Sequence, residues 1–334
     1  MSYWRFQGLG FDGAFNATSR GISLTGANVG VLVEDCFART ASFGFRIEGA
    51  GKCIVRRCDF LDITANPVFL GGFTIGVTDS IIEQCTTNNS GPITMHNDAA
   101  TPTDKNNVIR RCLVINGTSY GAYHIGAATD LGGWVVENCI TYNCSTGAEI
   151  SLAAGATIRN NTFIAADVDQ SQTGIFLNFA IGTRIFNNII VADNASFIIY
   201  EPGSTGTLID TGSQWTDTLD NPSINDNLAA LFVSPTTQDY RLRFTAAARG
   251  IASATFQSRS AATEDFLGLP RLALDAGAYE YHPGPVTPSS AAVTSASPSS
   301  HAEMAATATS GAVKAASPGS RAVTVATVSS KANT

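Results

Sequence analysis

An all-β solenoid of stacked coils is the fold class this sequence predicts, and three observations predict it. A step position recurs at Cys36, Cys58, Cys85, Cys112, Cys139, Asn161 and Asn188, at intervals of 22, 27, 27, 27, 22 and 27 residues. The words around these positions agree: VLVEDCF, CIVRRCDF, SIIEQCT, NVIRRCLV, WVVENCI, ATIRNNTF and TRIFNNII. Within each interval, apolar residues alternate over short stretches, as Ile54 with Phe60, Ile109 with Val114 and Ile158 with Phe163. These runs end at Gly, Asn or Asp and are too short for helices. A fixed repeat of this length marks stacked units that bury a shared core.

The LxxLxLxxN word of a leucine-rich repeat is absent. Coils of 22 and 27 residues instead accommodate three short strands joined by turns, wound as a parallel β-helix. Corresponding strands then stack about 4.8 Å apart. The pattern starts early, because Leu9 in FQGLGF stands 27 residues before Cys36. Trp4 to Phe11 therefore already reads as repeat sequence with no cap before it. A solenoid end needs covering. The expectation is a trimmed chain or a piece of a longer product, with an additional domain or an oligomer partner over the first coil.

Five of the seven cysteines stand at the step, with no CxxC pair. That spacing predicts a column of small inward thiols in place of a zinc site or a disulfide scaffold. Cys53 and Cys144 fall outside the column as ordinary buried or loop residues. Two residues before the step the sequence reads Glu34, Arg56, Glu83, Arg110, Glu137 and Arg159. In stacked coils this alternation becomes a ladder of opposite charges, read here as a solvated structural feature, each facing pair contributing about 0.2–1 kcal/mol. Asn160, Asn161, Asn187 and Asn188 continue the turn as an asparagine ladder.

Residues 1–208 form the repeats, and 209–282 the C-terminal coils and capping region. Residues 283–334 are a Ser/Ala/Thr-rich flexible linker or tail, with Glu303, Lys314, Arg321 and Lys331 as its only formal charges. The net charge of −7 argues against a nucleic-acid partner, which requires clustered Lys and Arg. No run of 18 apolar residues marks a membrane-spanning segment. MSYWRFQGLGF carries none of the features of an export signal.

The repeat words from about residue 3 to 200 resemble right-handed, single-stranded parallel β-helix proteins of the pectate-lyase-like superfold. A second resemblance lies in YRLRFTAAARGIA, EDFLGLPR and DAGAYEY, which are similar to segments that close extracellular bacterial β-helix proteins. Thr245-Ala246 stands where such segments usually carry Ser-Pro. The resemblance implies an extracellular or cell-surface protein acting on or binding a polysaccharide or oligosaccharide, as a lyase or glycoside hydrolase. The alternative is a non-catalytic structural surface, adhesin or fibre module. Neither a DPHE word nor a long acidic calcium cluster is present, so no catalytic residue is carried over from the family.

A second strand runs through GFRIEG, GFTIGV, GPITMH, GAYHIG, GAEISL and GIFLNF. From its first glycine to the next step the distances are 14, 13, 21, 18, 14 and 14 residues, which places insertions in two adjacent coils, near Asn97–Asn107 and Gly126–Gly133. Enlarged loops on a rigid body are a natural place for a binding site. The same side holds His96 and His124, which alternation turns outward with Thr94 while Ile93, Met95, Tyr123 and Ile125 turn inward. The catalytic candidates are His124 as base with Lys105 and Arg46 as charge stabilisers for uronate elimination, or Asp98 with Glu149 or Asp130 as paired acids for hydrolysis. Arg46, Glu48, His96, Tyr123, Asp130 and Asn178 are candidates for ligand contact, with Tyr123 nominated for sugar stacking. No cofactor is expected, although Asp98, Asp130 and Glu149 also offer oxygens suited to calcium.

Overall fold

The computed structural model describes residues 3–26, 28–72, 76–97, 106–117, 121–127, 132–165, 173–192, 197–210, 214–217 and 224–282. Its body is a parallel β-solenoid whose coils contribute to three columns of strands. The first column runs from Trp4–Gln7 and Val31–Glu34 through Ile81–Glu83 and Trp134–Glu137 to Leu208–Ile209. The second follows the step and includes Asp59–Leu61, Thr86–Asn88, Leu113–Ile115, Ile140–Tyr142, Thr162–Ala165 and Ile189–Ala192. The third includes Asn66–Gly72, Ile93–Asn97, Gly121–Ala127, Thr146–Ser151 and Thr173–Asn178. The long strand Phe37–Glu48 joins the second and third, pairing through Phe37–Arg39 with one and through Phe43–Glu48 with the other.

A single device turns each corner. After the first-column strand comes one residue at positive φ, such as Asp35 at 55°, Gln84 at 54°, Asn138 at 51° or Asn187 at 58°. Its N–H still donates to the neighbouring coil, as Gln84 does to the Arg110 carbonyl, so the corner turns without losing the ladder. Asn and Asp tolerate this left-handed conformation, which explains their abundance here. The next residue is the step residue, and it points inward. Each column thiol donates to the carbonyl two residues behind it, from Cys36 at 3.1 Å to Cys85 at 3.4 Å. Asn161 and Asn188 extend the same column, with the Asn161 amide donating to Asn188 Oδ1 at 3.0 Å.

Cys53 and Cys144 obey this rule at the two other corners, each following a positive-φ residue, Lys52 or Asn143. All seven thiols are free and buried. The opening coil places large aromatics at interior positions, Trp4 facing Val31 and Phe6 facing Val33. Phe6 is buried, and Trp4, Leu9 and Phe11 pack against the same core.

The charge ladder forms in the expected register, with Glu34 opposite Arg56, Glu83 opposite Arg110 and Glu137 opposite Arg159. Its acids, however, are buried and not solvated: Glu34 is 1% exposed and Glu83 7%. Long guanidinium side chains from both neighbouring coils close over them, as Arg5, Arg56 and Arg57 do over Glu34. Burial alone would raise the Glu34 carboxyl, but hydrogen bonds and charge from Arg56 and Arg5 hold it below its usual value.

The helix Ile224–Leu231 and the described strands and turns up to residue 282 pack along the flank of the coils. Leu113, Ile115, Ile140, Ile164, Ile189 and Val191 face outward from the second column and bury against Leu228, Leu231, Phe232, Tyr240, Leu242 and Phe266. Hydrogen bonds follow the adjacent corner, from Arg271 Nη2 to Asn138 Oδ1 at 2.8 Å and from Ser253 N to Asn187 Oδ1 at 2.7 Å. The second column is thus covered on its outer face and the first carries the ladder. The third presents a half-buried polar and aromatic strip.

Candidate functional site

Parallel pairing assembles the strip from one side chain per coil. Arg46, Phe69, Thr94, His124, Glu149 and Phe176 share one register. Two residues further along, Glu48, Gly71, His96, Gly126, Ser151 and Asn178 share the next. Side chains alternate with a period of two, so both lines lie on the outer face. The intervening Ile47, Leu70, Met95, Ile125 and Ile150 are buried in the core.

At the centre, His124 Nε2 lies 4.0 Å from Glu149 Oε1. Ser151 Oγ donates to Glu149 Oε1 at 2.9 Å and the Gly121 N–H donates to Oε2 at 3.3 Å, which orients the carboxylate. Burial lowers the His124 imidazole below its ordinary value of 6.5, outweighing the opposing pull of Glu149, and His96 adds to the lowering. His124 is therefore neutral near pH 7 and available to accept a proton. His96 lies between Phe69 and His124 with its ring tilted to both, at centroid distances of 6.3 and 6.0 Å. Gly126 makes room for it, since a Cβ there would come within 2.1 Å of His96 Cδ2. At the other end Arg46 bonds Glu48 at 2.6 Å and lies over the rings of Phe43 and Phe69 at 5.0 and 5.4 Å.

The structure brings together Arg46, Glu48, His96, His124, Glu149 and Asn178 from the sequence-derived candidates. Tyr123 is a correction. It points inward with no exposed surface, and its hydroxyl lies 2.7 Å from the carbonyl oxygens of both Cys112 and Ile140. Its parity matches Ile93 on the facing strand, so it cannot stack on a ligand outside. Asp98, Lys105 and Asp130 lie outside the described residues. Thr94 does face outward but is buried, accepting a hydrogen bond from Asn66 Nδ2 at 2.7 Å.

The insertion pattern also changes. In the third coil the third-column strand is Asn66–Gly72, so GFTIGV follows that strand and does not form it. Measured from the shared register to the next step, Arg46–Cys58 spans 12 residues, Phe69–Cys85 spans 16, Thr94–Cys112 spans 18, His124–Cys139 spans 15 and Glu149–Asn161 spans 12. Three adjacent coils are enlarged, not two. Phe43, Phe69 and Phe176 are half-buried on the strip and escape a search for titratable residues. The outward parity of Phe69 and Phe176 is the signal that could have found them.

Among the described residues, no group of three or more His, Cys, Asp or Glu side chains is arranged to hold a metal ion. A comparison with curated proteins finds no match. The family model described as "Right handed beta helix region" matches residues 12–163 and 43–213. Together these cover more than half of the chain and include every coil that builds the strip, and the chain therefore belongs to the right-handed β-helix family.

Proposed function

We propose that the chain binds an extended polysaccharide along the outer face of its third column, outside the cell or at its surface. His124 and Glu149 form the centre at which a glycosidic bond is cleaved. The fold is consistent with carbohydrate-binding and carbohydrate-active β-helix proteins in general. The observation that carries the reading is the His124–Glu149 pair at 4.0 Å, set within a line of outward side chains that crosses consecutive coils. Five coil steps separate Arg46 from Phe176, which makes the strip about 24 Å long at ~4.8 Å per step. That length suits a polymer better than a small molecule. Aromatic rings offer the apolar faces, and the carboxylate, imidazoles and amide offer the hydrogen bonds, that sugar rings require.

His124, neutral near pH 7, serves as the general base, and Glu149 serves as the partner that orients it and balances the charge it acquires. Binding and product analysis test the proposal, using wild type, His124→Ala and Glu149→Gln against a panel of polysaccharides. Unsaturated uronate ends identify elimination, and new ordinary reducing ends identify hydrolysis. Binding without turnover leaves a recognition module. Binding that neither substitution weakens would refute the site.

A further inference from the structure

Among the described residues of the coils, seventeen non-glycine residues have positive φ, and fifteen are Asp, Asn, Gln, Thr, Lys or Arg. The other two are Leu152 at 59° and Phe179 at 51°. A large apolar side chain is the costly choice in this conformation, where Asn, Asp or Gly serve at lower cost. Both residues are also exposed, Leu152 by 49% and Phe179 by 56%, and Ile181 beside them is 49% exposed. Neither strain nor exposure helps the fold, and strained residues of this kind gather at functional sites.

The three form one patch. The Leu152 N–H donates to the Asn178 carbonyl at 2.8 Å, which stacks the two corners on adjacent coils. The Phe179 ring lies over Gly203, where a Cβ would come within 2.4 Å of ring carbon Cε1. The ring thus has a seat cleared for it. Leu152 directly follows Ser151, and Phe179 directly follows Asn178, the last two residues of the outer line. The apolar patch is therefore the lateral edge of the strip at its Glu149 end.

Charge at the strip points the same way. Arg46 is neutralised by Glu48 at 2.6 Å, and Glu149 adds a second carboxylate. Carboxylates outnumber guanidinium groups among the described residues of the two lines. A polyuronate would set its own carboxylates against this surface, whereas a neutral chain meets no such repulsion.

We infer that the ligand of this face is a neutral glycan, not a polyuronate, and that its apolar ring faces or acyl substituents rest on Leu152, Phe179 and Ile181. This inference rests on the polysaccharide-binding reading and specifies its ligand. Sugar C–H faces cover the patch, while Ser151, Asn178 and Glu149 take the hydroxyl groups along its inner edge. A cut in such a chain is hydrolytic, because β-elimination requires a uronate: water gives its hydroxyl to the anomeric carbon, and its proton passes by way of His124 to the leaving glycosidic oxygen.

Isothermal titration of the full chain tests this, with soluble neutral glucans and mannans, with and without acetyl groups, against polygalacturonate and alginate at one ionic strength. Wild type should bind at least one neutral polymer about tenfold tighter than either polyuronate. Phe179→Asn and Leu152→Asn should each weaken that binding about tenfold while raising the melting temperature, because Asn accepts the left-handed corner. A merely structural patch would lose stability and leave affinity unchanged. Polyuronate binding as tight as or tighter than neutral-glycan binding, or unchanged affinity in Phe179→Asn, overturns the inference. If His124→Ala and Glu149→Gln still weaken binding in that case, the polysaccharide site stands and only the ligand class falls. If no polymer binds, both fall.

Discussion

Replacing Glu83 by Ala tests how the coils are held in register. Glu83 is 7% exposed, and its Oε2 accepts hydrogen bonds from Arg110 Nε at 2.9 Å and Arg111 Nη2 at 3.1 Å. Each charge-assisted hydrogen bond contributes about 1.5–3 kcal/mol when well buried. The Arg110 side chain is 33% exposed and regains water when its partner is lost, so its share falls to about 0–1 kcal/mol. The Arg111 side chain is 13% exposed and keeps a second partner, Glu264, at 3.0 Å, which limits its loss to about 1.5–2 kcal/mol. Together these predict a destabilisation of about 1.5–3 kcal/mol at pH 7. For a chain of this size the melting temperature should fall by roughly 2–5 °C.

The pH dependence has a defined sign. Burial raises the Glu83 carboxyl, but Arg110 and Arg111 outweigh burial and hold it below the ordinary 4.5. Folding therefore favours the ionised form. The contribution is present above the unfolded value and is lost as pH falls through the lowered folded value. Thermal and urea unfolding from pH 7 to pH 3 should show wild type and Glu83→Ala converging in acid. A Glu83→Ala protein within 0.5 kcal/mol of wild type at pH 7, or parallel curves across that range, would refute the reasoning.

Other outcomes follow from the same geometry. Tyr123→Phe removes a hydroxyl shared by two buried carbonyls and should cost about 1–2 kcal/mol in urea unfolding, with glycan affinity unchanged. Native protein should not react with a thiol reagent such as Ellman's, whereas the denatured chain should titrate seven thiols, since all are buried and burial pushes Cys144 up to about 12. Because burial lowers His124 below 6.5, its contribution to stability holds above that value and is lost as pH falls through the lowered one. The stability of wild type should thus fall more steeply than that of His124→Gln between pH 6.5 and pH 4.5. Asn188→Ala loses donors to the Ile158 and Phe186 carbonyls and an acceptor for the Asn161 N–H, and should cost about 2–4 kcal/mol by thermal unfolding.

The step residues and the Glu/Arg alternation were legible because a coil repeats the same local demand at the same position. Each corner needs a residue that tolerates positive φ and then a small inward side chain, as Asn138–Cys139 and Asn160–Asn161 show. Alternation likewise sufficed to turn His124 and Glu149 outward, because parity within a strand is a local property. The same parity argued against Tyr123 as a ligand contact, and nominating it for its chemistry overrode that signal.

What sequence alone determined is the solenoid, its step column and the facing of each third-column side chain, since these depend on short-range periodicity. Tertiary structure decided three further matters. It set the register of the third coil, where Asn66–Gly72 and not GFTIGV completes the column. It showed that the outward apolar residues of LVI, ITY and IIVA are covered by a segment from the far end of the chain. It placed His124 beside Glu149, and Leu152 beside Asn178, across neighbouring coils. Each is a relation between residues 20 or more positions apart, and stacking distance, not sequence spacing, governs such contacts.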